Sequence, residues 1–578
     1  MDNLSYAKIL ELNNKFKMES NLAEYKVVIL SNIIVHQIKE IFEYTFISEG
    51  INVKIIFGDY DNLVQDSLKY KDANAVIIFL ELCNVIDNFY YQIDLIDKNR
   101  EEKILKKTKS EIDFVLKNLE ETSIVIMNRF TSLPFSNSKI NQNRFDLFSK
   151  KLNLFLSDKE NENLILVDIE KIIAMTGINS SFDLRYYNSS KALYTINFFK
   201  NYSVSIKPLI ISACGKAKKA LIFDCDNTLW KGVLGEDGFE NIEMSNKTND
   251  GSIFEEVQSI ALSLAKKGVL IGICSKNNFN DVDKVIRSHK DMKLKDSHIV
   301  INKSNWSDKV TNLKEISKEL NIGLDSLVFI DDSLFEVELV KSKLPEVTVL
   351  QVPEKLYEYP IMIRDNLNLF YNLSVTKEDK EKISMYKSQA VRIAEKDNFT
   401  DIEDYLASLD IKIIITKNDN SNIHRFSQMT QKTNQFNLTT KRYTESDINK
   451  FIKDPNCYLY SLSVSDKYGD SGITGLSIIK LNTNSQNAKI DSFMMSCRII
   501  GRNIEFSFID FIVQDLMEEK ITKIDSLYIQ TNKNEQVKGF YDNCLFSKVK
   551  SINGAKEYSL IVANYISKTK DYIKIINE

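Results

Sequence analysis

Short apolar runs recur along the first 370 residues, and each is followed by a polar turn and a charged stretch of helical length. In the first part of the chain the runs lie at residues 25–30, 53–57, 75–82, 123–127 and 164–168, with helical stretches such as 101–119 between them. Buried strands that alternate with helices form parallel sheets. The pattern predicts an α/β domain over residues 1–215.

A second series of the same kind begins after the basic stretch 216–219, which we take as the seam between two domains. Its apolar runs lie at residues 220–223, 269–274, 298–301, 327–330 and 347–350. The same strand and helix order predicts a second parallel-sheet domain over residues 216–370.

The pattern changes after Phe370. A charged helical region at 376–396 precedes strands of alternating or mixed pattern at 411–416, 457–464, 472–481 and 488–494. This order predicts an α+β third domain over residues 371–578. Three domains agree with the length of 578 residues, because single hydrophobic cores stop growing near roughly 250–300 residues.

Composition narrows the class of protein. With 43% hydrophobic and 27% charged residues and a net charge of −4, the chain is typical of globular proteins and offers no general nucleic-acid-binding surface. No apolar run approaches the ~18–20 residues that span a bilayer, and no basic segment followed by an apolar core opens the chain. Seven scattered cysteines argue against a disulfide framework. We expect a cytoplasmic protein without a membrane segment.

Carboxylates follow the first strand of the second series. Residues 221–228 read LIFDCDNT, so Asp224 and Asp226 leave the strand at its carboxyl end, and Thr228 adds a hydroxyl. Ligands of open parallel sheets bind at this edge. The two carboxylates can serve one bound cation and one phosphoryl group, and Thr228 can hydrogen-bond phosphate.

Later strands of the series end in groups of matching chemistry. Ser275 follows the second strand, Lys309 lies in the segment NWSDK, and Asp331 and Asp332 follow the strand at 327–330. A hydroxyl and a cation suit phosphoryl oxygens, and the carboxylates complete an oxygen site for Mg²⁺. Each piece alone is common in unrelated proteins, but four in this chain order favour a functional site.

The order DxDxT, Ser, Lys, DD resembles that of the haloacid dehalogenase (HAD) superfamily. The resemblance implies that Asp224 attacks phosphorus and that Asp226 acts as general acid and then base. It also implies that Mg²⁺ is bound by the Asp224 carboxylate, the Asp226 backbone carbonyl and Asp331, with Asp332 supporting the metal shell. Little more than a loop and one helix fits between Thr228 and Ser275. We therefore expect no cap domain there, and an open site.

A longer resemblance points to the FkbH-like branch of the superfamily. It is carried by the segments LWKGVLGEDG (229–238), SKNN (275–278), NWSDK (305–309), FIDD (329–332), QKTNQFNLT (431–439) and SCRIIGR (496–502). Ser333-Leu334 departs from the Asn-Pro that is common in the family. The resemblance implies an SGNH-hydrolase-like first domain, a HAD core and a third domain similar to GNAT-type acetyltransferases.

Such proteins transfer a glyceryl unit from 1,3-bisphosphoglycerate to an acyl carrier protein, with loss of phosphate, in polyketide or related biosynthesis. The resemblance thus implies a phosphorylated small-molecule donor and a carrier-protein partner. Two alternatives stay open. One is a phosphatase for another metabolite joined to an acetyltransferase of an amine or a sugar; the other is a non-catalytic assembly module.

The resemblance also suggests a site in the third domain. Arg498, Gly501 and Asn503 resemble the acetyltransferase loop that binds pyrophosphate at a helix N-terminus, and Asn534 fits a second contact to CoA. Phosphopantetheine on a carrier protein has the same chemistry, so either group is a candidate ligand. An ordinary strand-to-helix turn is the alternative for this motif.

A thiol could carry the acyl group, since thiolates attack acyl phosphates. Cys225, between the two aspartates, is the first candidate, and Cys274 and Cys497 are the others. Regular alternation would turn Cys225 away from the aspartates. In the first domain, a hydrolase would use Ser31 as nucleophile. Asp183 offers a late carboxylate but no His lies near it, so binding or scaffolding is the stronger prediction.

Overall fold

The computed structural model describes residues 4–19, 24–136, 141–161, 163–372, 385–388, 392, 399, 401–482, 486–531, 533–552 and 554–576. The chain divides into two compact units. One is Met1–Cys214 with Tyr443–Asn449, and the other is Gly215–Arg442 with Lys450–Glu578. The border predicted near residue 370 falls inside the second unit and stays a prediction.

The first unit is built on a parallel five-stranded sheet with the order β2-β1-β3-β4-β5. Its strands are β1 (Glu24–Ser31), β2 (Asn52–Phe57), β3 (Ala75–Phe79), β4 (Val125–Asn128) and β5 (Leu164–Val167). Its helices are α1 (Tyr6–Glu19), α2 (Ile38–Ile47), α3 (Leu63–Lys69), α4 (Phe89–Gln92), α5 (Lys98–Asn118), α6 (Arg144–Ser157), α7 (Ile169–Thr176), α8 (Ile178–Ser181), α9 (Leu184–Ser190) and α10 (Ile196–Ala213). The predicted α/β class is confirmed.

Strand β3 is shorter than the apolar run that predicts it. The strand ends at Phe79, whereas the run continues to Leu82. Beyond Phe79 the backbone of Glu81 bonds to a side chain instead of a strand: its N–H donates to Oδ1 of Asn32 (2.7 Å), and its carbonyl accepts from Nδ2 (3.0 Å). The buried side chain of Asn32 thus takes the place of a strand partner, and β3 ends before the apolar run does.

The second unit contains two sheets, of which the first is parallel with the order β10-β9-β6-β7-β8. Its strands are β6 (Ala220–Phe223), β7 (Leu270–Ser275), β8 (Ile299–Ser304), β9 (Leu327–Asp331) and β10 (Thr348–Gln351). Its helices are α11 (Leu234–Asp237), α12 (Asn249–Lys266), α13 (Phe279–Ser288), α14 (Lys309–Glu319), α15 (Leu334–Lys343) and α16 (Tyr359–Asp365). All five predicted strands are present, in the Rossmann-like arrangement expected of a HAD core.

Side chains of the central strand β6 alternate between two apolar cores. Leu221 and Phe223 pack into the core on one face of the sheet, and Ala220 and Ile222 pack into the core on the other. Cys225 lies in the first of these cores. The alternation expected from the sequence therefore continues past the end of the strand.

The second sheet has nine strands, in the order β17-β18-β16-β15-β14-β13-β11-β19 with β12 beside β15. The strands are β11 (Ile411–Lys417), β12 (Phe436–Asn437), β13 (Cys457–Asp466), β14 (Gly469–Asn482), β15 (Asn487–Met495), β16 (Lys523–Ile529), β17 (Ser547–Ile552), β18 (Ala555–Ile561) and β19 (Ile573–Ile576). The helices are α17 (Ile402–Ser408), α18 (Ile423–Lys432), α19 (Glu445–Lys453), α20 (Ile504–Glu518) and α21 (Phe540–Asn543). Residues 445–449 of α19 belong to the first unit. The pairs β15–β16 and β11–β19 are parallel and the others antiparallel, which confirms the predicted α+β character.

The parallel strands β15 and β16 separate after a short contact. They pair over residues 487–490 and 523–526. Beyond that point Leu438 lies between them: its N–H donates to the Phe493 carbonyl (3.1 Å), and its carbonyl accepts from the Ile529 N–H (2.8 Å). The end of the motif at residues 431–439 thus closes the gap between the two strands.

Most of the helical region predicted at 376–396 lies outside the described residues. Among the helices that the structure describes, none has both the length and the apolar character to cross a membrane.

Candidate active site

Lys309 joins two aspartates at the carboxyl edge of the parallel sheet in the second unit. Asp224 follows β6 and Asp331 ends β9, and these two strands are hydrogen-bonded neighbours. The Nζ of Lys309 lies 2.5 Å from Oδ1 of Asp224 and 2.6 Å from Oδ2 of Asp331. Lys309 is the first residue of α14, whose N-terminus is capped by Asp308. The cap thus fixes where the lysine side chain begins.

All three groups are almost inaccessible to solvent, with exposed fractions of 6% for Asp224, 3% for Lys309 and 0% for Asp331. Burial raises the pKa of Asp224 to about 6, against the opposing charge of Lys309. The pKa of Asp331 is also raised by burial. Burial would lower the pKa of Lys309, but the two carboxylates outweigh it and raise that pKa above its ordinary value. The lysine is therefore a fixed cation.

Three carboxylates of this cluster can meet around one cation. Each of Asp224, Asp331 and Asp332 offers an oxygen, and these oxygens lie within 4.8 Å of one another. Three carboxylates against one lysine leave excess negative charge, and an all-oxygen donor set suits a hard divalent ion. The residues present therefore fit a divalent cation such as Mg²⁺.

Ser333 holds the strand end that carries Asp331 and Asp332. Its N–H donates to Oδ1 of Asp331 (2.9 Å), and the residue caps the N-terminus of α15. Serine is a good N-cap residue. Ser333 therefore supports the turn between β9 and α15.

Asp226 is held by three donors. Its Oδ1 accepts from Nε1 of Trp230 (2.9 Å) and from the Leu234 N–H (3.0 Å), and its Oδ2 accepts from Nδ2 of Asn277 (2.9 Å). The turn between the aspartates and Trp230 includes Asn227 in a left-handed conformation (φ +50°). The carboxylate is therefore fixed in orientation. The Asp226 carboxylate is not part of the three-carboxylate cluster, and the role of its backbone carbonyl as a Mg²⁺ ligand stays a prediction.

Two predicted phosphate-contacting hydroxyls are buried at the same edge. Ser275 ends β7, which lies next to β6, and its Oγ accepts from Nδ2 of Asn277 (3.2 Å). The Oγ1 of Thr228 is shielded from solvent and has no hydrogen-bond partner among the described residues. A buried hydroxyl without a partner is costly, so Thr228 keeps unused hydrogen-bonding capacity near the site.

Two polar contacts of the site were not singled out from the sequence. The sequence marks Trp230 only as part of a motif and Asn277 only as a turn amide suited to phosphate oxygens, yet both hold Asp226. An indole N–H that is buried usually finds an acceptor, which is the signal that could have indicated Trp230.

Cys225 does not share the site of its neighbours. Its side chain has no solvent exposure and lies among apolar residues, and burial raises the pKa of its thiol. Cys274 is equally buried, on the other face of the sheet. Both environments disfavour the thiolate that nucleophilic attack requires.

The site has no inserted cap domain. Between Thr228 and Ser275 the chain forms the four-residue helix α11, the helix α12 and connecting turns. This agrees with the spacing of the motifs and leaves the carboxylate edge of the sheet without a covering domain from this stretch.

The residues predicted to bind CoA lie near the start of α20. Gly501 (φ +83°) and Asn503 (φ +63°) are in left-handed conformations, and Nδ2 of Asn503 donates to the Tyr572 hydroxyl (2.8 Å). Arg498 donates to Oγ of Ser496 (3.2 Å) and contacts the Met385 sulfur. The loop thus makes its contacts within the protein.

Asn534 is a buried structural link. Its amide donates to the carbonyls of Asn437 and Ile529, and its Oδ1 accepts from Tyr528 and from the Thr531 N–H. All four hydrogen-bonding positions of the side chain are thus used inside the protein. Through the Asn437 carbonyl, Asn534 is bonded to the segment that closes the gap between β15 and β16.

In the first unit, Ser31 and Asp183 have local partners. The hydroxyl of Ser31 donates to the Ile33 carbonyl (2.8 Å), while Asp183 caps α9 and pairs with Arg185 (2.7 Å). The predicted binding or scaffolding role of the first domain stays a prediction.

Fold and site together define the class: a HAD-type parallel-sheet core with its carboxylate and lysine cluster at the sheet edge, followed by an α+β domain. The chain is similar to a crystal structure, in complex with Mg, of the N-terminal part of a Bacteroides fragilis protein that contains a phosphatase domain. The identity is 25% and the TM-score 0.55, over 64% of this chain and 100% of that one.

Two acetyltransferases match smaller parts of the chain. The Escherichia coli ribosomal-protein-S18-alanine N-acetyltransferase is 9% identical over 28% of this chain and 97% of its own, with a TM-score of 0.21. A streptothricin acetyltransferase of Bacillus anthracis, in complex with acetyl coenzyme A, is 20% identical over 20% of this chain and 66% of its own, with a TM-score of 0.17. No protein-family model and no curated protein matches the sequence.

Proposed function

We propose that the second unit is a Mg²⁺-dependent phosphatase or phosphotransferase in which Asp224 is the nucleophile. One observation carries the proposal: Lys309 holds Asp224 and Asp331 together at the edge of the sheet, and Asp332 offers a carboxylate oxygen within 4.8 Å of theirs. The similar Bacteroides fragilis structure with a phosphatase domain and Mg supports it.

Asp224, Asp226 and Lys309 each have a separate part in phosphoryl transfer. A carboxylate oxygen of Asp224 attacks phosphorus, which gives an aspartyl-phosphate and releases the alkoxide of the substrate. Asp226, held by Trp230 and Asn277, gives a proton to that alkoxide and then takes one from the water that hydrolyses the aspartyl-phosphate. Lys309 stabilises the charge that develops on the phosphoryl oxygens.

Asp224, Asp331 and Asp332 are the residues that would hold the cation. Bound there, Mg²⁺ supplies positive charge between an anionic nucleophile and an anionic substrate. Thr228 and Ser275 supply hydroxyls to the transferred phosphoryl group. The open edge of the sheet admits a substrate without a cap domain to move.

The substrate class follows from the FkbH-like motifs. We propose that the donor is 1,3-bisphosphoglycerate and that the glyceryl unit passes to the phosphopantetheine thiol of an acyl carrier protein. This donor has an ester phosphate, which suits hydrolysis at Asp224, and an acyl phosphate, which suits a thiol nucleophile. The motifs 229–238, 431–439 and 496–502 support this reading.

Phosphate release from p-nitrophenyl phosphate, measured over a range of Mg²⁺ concentrations, tests the first part. We expect Asp224→Asn to lower the rate by more than about 10³-fold, because it removes the nucleophile. Asp332→Asn should raise the Mg²⁺ concentration that gives half the maximal rate. Asp291→Asn, at a surface ion pair with Lys247, is the control. Full activity of Asp224→Asn would contradict the proposal.

A further inference from the structure

A cavity of about 290 Å³ lies in the second unit, away from the aspartate cluster. Its walls come from the loops that precede β6 and β9, from the segment that follows α18 and from the turn that follows β15. Five cations and one carboxylate line it: Lys219, Arg425, Lys432, Arg498, Lys533 and Asp325. An excess of positive charge favours an anionic ligand.

Cys497 faces this cavity. It follows β15, is partly exposed, and its carbonyl accepts from Nδ2 of Asn321 (2.7 Å). All seven cysteines of the chain are described; five are buried, and Cys214, the other partly exposed one, lies in the first unit. Cys497 is therefore the thiol of the second unit that a ligand can reach.

A buried acceptor in the wall also points to a ligand. The Oε1 of Gln435 is shielded from solvent and has no hydrogen-bond partner among the described residues, and Gln435 lines the cavity with Asn434. Both belong to the motif 431–439, the role of which the sequence alone does not give. An unpaired buried carbonyl oxygen costs stability unless a donor reaches it, and the hydroxyl of a small polar ligand is such a donor.

Lys219 supplies a basic group in the same cavity. Its Nζ donates to the Lys432 carbonyl (2.9 Å). Burial lowers the pKa of Lys219 to about 8, although the charge of a Cys497 thiolate would act in the opposite direction. A lysine whose pKa lies near physiological pH can take a proton from a thiol and pass it on.

We propose that Cys497 is the thiol that accepts the acyl group, and that the cavity is an acyl-phosphate site separate from the phosphatase site. The proposal rests on the proposed function. The Cys497 sulfur attacks the carbonyl carbon of the acyl phosphate, so a C–S bond forms and the C–O bond to phosphate breaks. The thiol proton passes through Lys219 to the leaving phosphate. A second thiol then takes the acyl group by thioester exchange.

The two sites lie at opposite edges of one sheet. Lys219 precedes β6 and Asp224 follows it, and in the same way Ser326 precedes β9 and Asp331 ends it. Strands of four or five residues at about 3.3 Å each separate the edges by roughly 13–17 Å. The acyl phosphate and the ester phosphate of one substrate are therefore handled at different places.

Intact-protein mass spectrometry of the full chain with 1,3-bisphosphoglycerate tests the proposal, followed by peptide mapping of the adduct. We expect a hydroxylamine-sensitive acyl adduct on the peptide with Cys497. Cys497→Ser should remove it, whereas Cys225→Ala and the buried control Cys457→Ser should keep it. An adduct that maps to Cys225, or that persists in Cys497→Ser, would overturn the proposal, as would no adduct on the wild-type chain.

The role of Asp224 in phosphate release can be tested separately from the acylation of Cys497. In Asp224→Asn we expect the Cys497 adduct to form but to retain the ester phosphate, and hence to be heavier. Undiminished p-nitrophenyl phosphate hydrolysis by Asp224→Asn, together with an intact Cys497 adduct, would contradict the function of Asp224 alone.

A second variant separates chemistry from folding. Lys219→Met should slow adduct formation by about 10²-fold, the usual contribution of a positioned proton-transfer group. An unchanged rate would exclude Lys219 as the proton carrier. Iodoacetamide should also label Cys497 in the folded chain, and 1,3-bisphosphoglycerate should slow that labelling; a Cys497 that resists alkylation would contradict its accessibility.

Discussion

The ammonium group of Lys309 lies 2.5 Å from a carboxylate oxygen of Asp224, in a place with almost no solvent exposure. The same nitrogen is 2.6 Å from Asp331. One cation therefore balances two buried carboxylates, and its removal should affect both activity and stability.

Lys309→Met should lower phosphate release by about 10²–10³-fold, the cost of losing one group that stabilises transition-state charge. It should also destabilise the second unit at pH 8 by about 3–5 kcal/mol, because two buried carboxylates lose their partner. Enzyme assays and urea unfolding check the two effects. Lys341→Met, at an exposed pair with Glu338, should change neither by much. A fully active and stable Lys309→Met would contradict this account of the site.

Thr228→Val should have opposite effects on activity and stability. The buried hydroxyl has no partner among the described residues, so its replacement by a methyl group should stabilise the protein by about 1 kcal/mol. Phosphate release should fall, because the hydroxyl is reserved for substrate. Thr122→Val is the matched control: its buried hydroxyl donates to the Lys71 carbonyl (2.8 Å), so that variant should be destabilised. Destabilisation of Thr228→Val would indicate a structural partner instead.

Asn534→Ala should destabilise the nine-stranded sheet by about 2–4 kcal/mol. Four hydrogen bonds are lost, and the carbonyls of Asn437 and Ile529 are left without this donor. Thermal unfolding without any ligand measures the change. Asn543→Ala, at an exposed position, should stay within about 0.5 kcal/mol of the wild type. Equal stability of both variants would mean that Asn534 is available for ligand contact.

Glu81 should make the first unit less stable as pH rises. Burial raises the pKa of Glu81 to about 7, and the nearby Tyr194 hydroxyl lowers it only in part. The folded state therefore holds a proton that the unfolded state has lost, so stability falls between about pH 4.5 and 7, by about 3 kcal/mol in total.

Hydrogen exchange of the β1 and β3 peptides in the full chain, followed across that pH range, measures this effect after correction for the intrinsic pH dependence of exchange. Glu81→Gln should flatten the profile, whereas the exposed Glu120→Gln should keep the wild-type slope. A slope that survives in Glu81→Gln would assign the pH dependence to another group.

The sequence predicts the ten strands of the two parallel sheets because buried strands are continuous apolar runs. In the nine-stranded sheet it misses β12, β16, β17, β18 and β19. All six residues of β17 are exposed, so that strand leaves no apolar pattern. It also extends the run at 75–82 too far, because hydrophobicity does not show that Asn32 binds the backbone of Glu81.

For the candidate site, the sequence predicts the carboxylates and Lys309 because parallel strands deliver their ends to one edge. It does not predict that Lys309 binds Asp224 and Asp331 at once, since residues 22 and 85 positions apart meet only through the sheet. The cavity that Cys497 lines is even harder to predict from the sequence. Its walls come from segments such as 219, 321–326, 432–435 and 496–498, which only tertiary packing brings together.

The position of Lys219 and Asp224 on either side of β6 has a kinetic consequence. An acyl group bonded to Cys497 stays at its own edge of the sheet, so the ester phosphate has to be removed at Asp224 before acylation. The dephosphorylated acyl phosphate then leaves the Asp224 site and passes through bulk solution before it reaches Cys497. An enzyme built this way cannot channel. Its product yield should depend on dilution, and a second protein that consumes the free intermediate would compete for every turnover.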